Sequence, residues 1–147
     1  MKWMPIVIFF LILNGCDFPA DPNNTLLKIQ KNHILLVGTC TDYKNNDNKI
    51  AAEIIEDIAK KLNAQIKLEF DTQENLYHKL ERFELDIIFC SIQTSSPWHK
   101  QVAFTIPYKQ SSHTDKQSSF VFALPPGENS WLKYVNDFIF EKNQTDN

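Results

Sequence analysis

Three short apolar runs constrain this chain more than anything else in it. They are residues 33–40, HILLVGTC, residues 65–70, QIKLEF, and residues 85–90, LDIIFC. Each is too short for a core helix, rich in branched or aromatic side chains, and suited to a strand. Between the first two lies a segment of helical period, with Ile50, Ile54, Ile55, Ile58 and Leu62 on one face and charges on the other. Between the second and third lies another, opened by a capping box of Asp71 and Glu74 and carrying Leu76, Leu80 and Phe83. Strand, helix, strand, helix, strand at this spacing predicts an α/β fold. Its sheet is open and mostly parallel, with flanking helices and right-handed crossovers.

The remainder extends that pattern. Ser96 and Pro97 read as a cap and first-turn proline for a short helix. VAFTIPY is a fourth extended piece, residues 109–119 form a polar loop, and FVFALP is a fifth strand. A last helix over residues 130–141 turns Trp131, Val135, Phe138 and Ile139 inward, and residues 143–147 form a frayed tail. In open α/β sheets, ligands sit beyond the carboxyl ends of the strands. Those ends carry Cys40, Asp42 and Tyr43 after the first strand and Cys90, Ser91 and Gln93 after the third.

Residues 1–16 are set apart from the fold. One positive charge at Lys2 precedes an apolar run from Pro5 to Leu13, shorter than the roughly 20 residues of a membrane-spanning helix. It reads as the core of an export signal. Leu13-Asn14-Gly15-Cys16 resembles a bacterial lipobox, which implies cleavage before Cys16 and its lipidation. In such lipoproteins an aspartate next to the cysteine, here Asp17, implies retention at the inner membrane of the periplasm. Residues 17–31 then read as a polar tether, and residues 32–142 as a single lobe.

Composition removes several function classes. The net charge is −3, Arg82 is the only arginine, and no basic stripe exists, which argues against nucleic acid as a partner. Beyond residue 16 only Gly38 and Gly127 remain, so no glycine-rich phosphate loop and no cofactor are expected.

The ordered motifs ILLVGTCTDY, IAAEIIEDIAKKLNAQIKLEF, LYHKLERFELDII and KQVAFTIPY, closed by FVFALPPGENSWLKYVNDFIFEK, resemble the first lobe of bacterial solute-binding proteins of family 3. The resemblance implies a single lobe of a type II periplasmic binding protein, without catalysis. Two departures stand out. Where the family inserts a second lobe, this chain has only residues 109–119, so a ligand would stay open to water on one side. The amino-acid clasp is also rewritten. Cys40 stands where the family carries an acid, Trp98 where it carries an arginine, and Gln73 in place of a stacking aromatic, while Tyr43 keeps the aromatic wall. An indole offers one N–H and no charge, so it cannot replace a guanidinium fork.

The candidate ligand-binding residues are therefore Cys40, Asp42, Tyr43, Gln73, Cys90, Ser91, Gln93 and Trp98, with no metal ligands. Neighbouring strands about 4.8 Å apart bring Cys40 and Cys90 within reach of a disulfide. Two thiols acting as small apolar residues, or a redox or soft-metal pair with His99, are the alternatives. His33, His78 and His113 are scattered and read as solvated. Trp98 with Tyr43 reads as a shelf for a small solute, as a contact face for a permease or sensor in the membrane, or as a cover for the bare sheet. Two functions remain open: solute binding, or an interaction module that has lost its solute.

Overall fold

The structure, a computed structural model, describes residues 21–40, 48–111 and 118–145. Its elements are α1 (Thr25–Asn32), β1 (Ile34–Thr39), α2 (Lys49–Lys61), β2 (Gln65–Phe70), α3 (Gln73–Glu81) and β3 (Ile87–Gln93). A one-turn 3-10 helix (Pro97–Lys100) follows, then β4 (Ala103–Phe104), β5 (Lys109–Ser111), β6 (Ser118–Leu124) and α4 (Asn129–Thr145).

The strands form one sheet in the order β2-β1-β3-β6-β4, with β5 also against β6. β1 is parallel to β2 and to β3, as the crossover pattern predicts. β6 runs antiparallel to β3, β4 and β5, so the sheet is mixed rather than parallel throughout. The cause is local: β5 and β6 are joined by a few residues, and a short connection can only reverse the chain.

Two apolar layers sandwich this sheet. On one face α1, α2 and α4 bury Ile29, Ile54, Ile55, Ile58, Trp131, Val135 and Ile139 against Leu35, Val37 and Phe89. On the other, α3 buries Leu76, Tyr77 and Leu80 against Ile88, Ile92 and Val121. Gly38 sets how closely α3 approaches β1. A Cβ there would lie 2.8 Å from Leu85 Cδ1 and 2.9 Å from Leu76 Cδ2, inside van der Waals contact.

Four expected boundaries are corrected. Residues 25–31, read as tether, form helix α1, with Thr25 and Ile29 fully buried. The polar loop of residues 109–119 instead supplies strand β5 and the start of β6, which pair with each other. Helix α4 continues to Thr145, through most of the expected frayed tail. Finally, α3 is capped by Thr72, whose Oγ1 accepts from the Asn75 N–H, rather than by an Asp71–Glu74 box, and Tyr77 replaces Phe83 on its buried face. Residues 1–16, with Cys16, lie outside the described residues.

The amino end of the sheet is held by buried charge. α1 has no side-chain cap of its own. The backbone N–H groups of Asn23 and Thr25 instead donate to the buried Glu128 carboxylate at 2.7 and 2.6 Å. In return, Asp21 accepts from the Ser130 N–H at the start of α4, at 2.8 Å. Asp86 lies between them. Its carboxylate accepts from the Leu36 N–H at 2.9 Å and faces the Lys28 ammonium at 2.9 Å. Trp131 Nε1 donates to the Asp86 carbonyl at 2.7 Å. Burial pushes the Asp86 carboxyl above its usual range, against the pull of the Leu36 N–H and Lys28.

Candidate functional site

The carboxyl end of the sheet is built differently. Thr39 of β1 lies opposite Phe89 of β3 in the parallel ladder, which puts Cys40 beside Cys90. The two form a disulfide with their Cα atoms 5.2 Å apart. Of the three states open to these cysteines, the structure has the bonded one. Both sulfurs are half-buried and pack against the α3 side of the core. β3 runs on to Gln93 rather than ending at Cys90. Its register against β6 shifts between Ile88 and Ile92, and Ser91 takes a left-handed conformation with φ 53°. This bulge leaves Ser91 and Gln93 exposed while Ile92 stays buried.

Trp98, carried by the 3-10 helix, is half-buried. Its ring stacks on that of Tyr77 with centroids 4.6 Å apart and planes 22° apart. His78 meets it edge-on at 5.4 Å. Tyr77 is fully buried, and Gln73 Nε2 donates to its hydroxyl at 2.9 Å. Burial raises the Tyr77 hydroxyl's pKa, opposed by hydrogen bonds with Gln73 and Ser96. Gln73, Tyr77, Ser96 and Trp98 thus form one joined group that pins the 3-10 helix to α3.

The structure brings Cys40 and Cys90 together, and Gln73 together with Trp98, at this end of the fold. Ser91 and Gln93 extend from the same strand as Cys90. Asp42 and Tyr43 lie outside the described residues. Tyr77 is the residue that sequence reasoning missed. Its position one after Leu76 put it just off the face that the helical period selected, although an aromatic beside that face is a readable signal.

Charge at this end is paired and peripheral. The Lys79 ammonium bridges Glu69 and Asp71. With Lys79 as the leading cause, and with Asn75 and the Thr72 N–H also donating, Asp71 is held down at about 2. His99 Nδ1 bonds the Ser96 carbonyl of its own turn at 2.9 Å, and His78 pairs with Glu81. Among the described residues no group of three or more His, Cys, Asp and Glu side chains could hold a metal. No helix among them is long and apolar enough to cross a membrane. A shallow hollow of about 540 Å³ opens at the other end of the sheet, lined by His33, Lys60, Asn63 and Gln65. It shares no residue with the disulfide and the ring stack.

Comparison with known proteins follows the same architecture. A family model, bacterial extracellular solute-binding proteins, family 3, matches residues 38–147. Among curated proteins none matches the sequence. Among solved structures, the arginine-bound form of domain 1 from TmArgBP, the ArgBP of T. maritima, superposes with a TM-score of 0.67 at 20% identity. That alignment covers 78% of this chain and 97% of the other. The ancestral amino acid-binding protein AncCDT-1, a precursor of cyclohexadienyl dehydratase, gives a TM-score of 0.69 at 14% identity, covering 82% and 93%. An amino acid ABC transporter substrate-binding protein from Streptococcus pneumoniae, bound to L-arginine, gives 0.69 at 11% identity, covering 83% and 93%. At these identities the likeness is one of fold.

Proposed function

The chain belongs to the bacterial extracellular solute-binding proteins, family 3, and on that premise we propose that it is an exported, non-catalytic binding protein. It recognises a small solute at the carboxyl ends of its strands. The observation that carries this reading is the joining of the Trp98–Tyr77 stack and the Gln73 amide on one side of the Cys40–Cys90 bond. This gives flat apolar surface and hydrogen-bonding groups without a free guanidinium, a combination suited to an aromatic or weakly charged solute. Cys16 carries the lipid that holds the protein in the periplasm at the inner membrane, with the tether ending before Asp21, which is already bonded to the fold.

A relative supports the sufficiency of one lobe: domain 1 of TmArgBP is described in an arginine-bound form. A thermal-shift screen of amino acids, polyamines and aromatic acids tests the reading. At least one of these solutes raises the melting temperature of the parent and not of Trp98→Ala. A flat response across all three classes counts against solute binding.

One observation favours a second reading. Tyr77 already covers one face of the Trp98 ring, leaving less of the indole for a solute. On this reading the same face docks on a membrane permease or sensor without solute. Crosslinking at Ser91 and Gln93 in membranes would then recover one stoichiometric partner.

A further inference from the structure

Among the described residues β2 ends the sheet, and none of their strands lies against the far side of its backbone. The Gln65 N–H donates to the His33 carbonyl and the Asp71 N–H to that of Thr39, both toward β1. In a parallel ladder alternate residues face the partner, so the N–H and C=O groups of Ile66, Leu68 and Phe70 point outward. Leu68 is 40% and Phe70 60% exposed, large apolar side chains on an open edge. Such an edge is a template for another strand unless something blocks it.

The sequence of this edge is complementary to itself. We propose that β2 pairs antiparallel with β2 of a second copy of this chain, about a twofold axis at Leu68. In that register Leu68 faces Leu68, and Ile66 faces Phe70 of the second copy. These are the outward-facing residues, so they take the hydrogen-bonded positions. Lys67 faces Glu69 of the second copy in the intervening position, where side chains stand closest. Opposite charges meet twice, once on each side of the axis, with each Glu69 shared between Lys79 of its own chain and Lys67 of the second copy, and two branched–aromatic pairs flank them. A shift by two residues loses this matching, so the charges fix the register as well as the partner. The contact is isologous and closes on itself, giving a dimer and not a fibre. Six residues of edge bury less than a standard interface, so the dimer is weak in dilute solution. The solute sites of the two copies point in opposite directions, and dimerisation is separable from solute binding.

Sedimentation of the full chain in detergent across a wide concentration range is the first test. A monomer–dimer equilibrium is expected, and a monomer throughout overturns the proposal. Lys67→Glu and Glu69→Lys each place like charges opposite one another, and each raises the dissociation constant by about tenfold or more; Glu69→Lys also loses the pair with Lys79, so Lys67→Glu is the decisive variant. An equimolar mixture of the two variants restores a dimer, because their charges are again opposite. Lys67 is exposed, so Lys67→Glu keeps the parent circular dichroism spectrum and melting profile. A dimer that persists unchanged in folded Lys67→Glu overturns the proposal. Leu68→Cys supplies a geometric check. Directly opposed residues fall within disulfide range, so mild oxidation links two copies beyond the level of the parent, whereas Lys67→Cys does not.

Discussion

The two ends of the sheet solve the same problem by opposite means. At the amino end, Asp86 and Glu128 are charged groups taken out of water and given partners from distant parts of the chain, the half-buried Lys28 among them. Buried charge is costly unless fully partnered, and here each partner also fixes an element: Glu128 the start of α1, Asp21 the start of α4, Asp86 the strand β1. At the carboxyl end, where open α/β sheets present their loops to ligands, fixation is covalent and aromatic. The difference teaches that a few buried charges, Asp86 and Glu128 above all, serve the architecture of one end, while the other end is held by groups that tolerate an open, wet surface.

The largest break in that comparison comes from the disulfide. Cys40 and Cys90 close a loop with a sequence separation of 50, for which chain-entropy reasoning gives about 4 kcal/mol. Cys40→Ser with Cys90→Ser is expected to lower the unfolding free energy by that order in urea titrations, and to leave the amino end intact by native-state hydrogen exchange. Equal loss of protection at both ends would show that the two are one cooperative unit. Next in size, Glu128→Ala strips acceptors from two backbone N–H groups at the start of α1. It is expected to cost about 2 kcal/mol, with exchange rising first in α1. Unchanged stability would mean that water replaces the carboxylate, and that the amino end is not held by charge as described.

The same contrast explains what the sequence made legible. Strands β1 to β3 and helices α2 and α4 were readable, because their periodicity depends on residues near in sequence. Helix α1 was not. LLKIQK is short and only half apolar, and its cap is Glu128, 103 residues away, a partner no local pattern reveals. The edge pairing of β5 was hidden for a related reason, since its polar residues gain structure only from β6. At the site, the adjacency of Cys40 and Cys90 followed from parallel-strand spacing. The αL bulge at Ser91 did not, because serine carries no mark of positive φ. The place of Trp98 depended on Tyr77, which lies at the margin of its helix face.

Third in size, Trp98→Ala removes a half-buried ring stacked on Tyr77. It is expected to cost about 1–2 kcal/mol, less than either change above. Its second readout is the Tyr77 hydroxyl: with the indole gone, desolvation falls, and the titration of Tyr77 moves back toward 10.0. A Tyr77 titration that does not move would show that the ring stack does not shield this end, and that the carboxyl end rests on the disulfide alone.

The smallest effect concerns Asp71, one of the charged groups that flank the carboxyl end. Asp71 is only half-buried, yet Lys79 holds its carboxyl at about 2, below the ordinary 3.8. A carboxyl whose pKa is lower in the folded chain stabilises the fold above the unfolded value, and loses that contribution as pH falls through the folded value. The stabilisation from Asp71 is therefore complete above about pH 4 and fades between pH 4 and 2. Asp71→Asn should unfold slightly more easily than the parent at pH 6, with the gap closing as acid protonates the parent's carboxyl. Salt should narrow the gap at pH 6 as well, since a pair open to water on one side is partly screened. At the amino end the sign reverses. Burial lifts the Asp86 carboxyl above 3.8, so its protonation on mild acidification favours the folded chain instead. Unfolding midpoints of Asp71→Asn and the parent, followed between pH 6 and 2, separate the two carboxylates. A gap that widens toward pH 2 would mean that Asp71 is not the group Lys79 stabilises, and that the carboxyl end depends on charge no more than its disulfide and ring stack require.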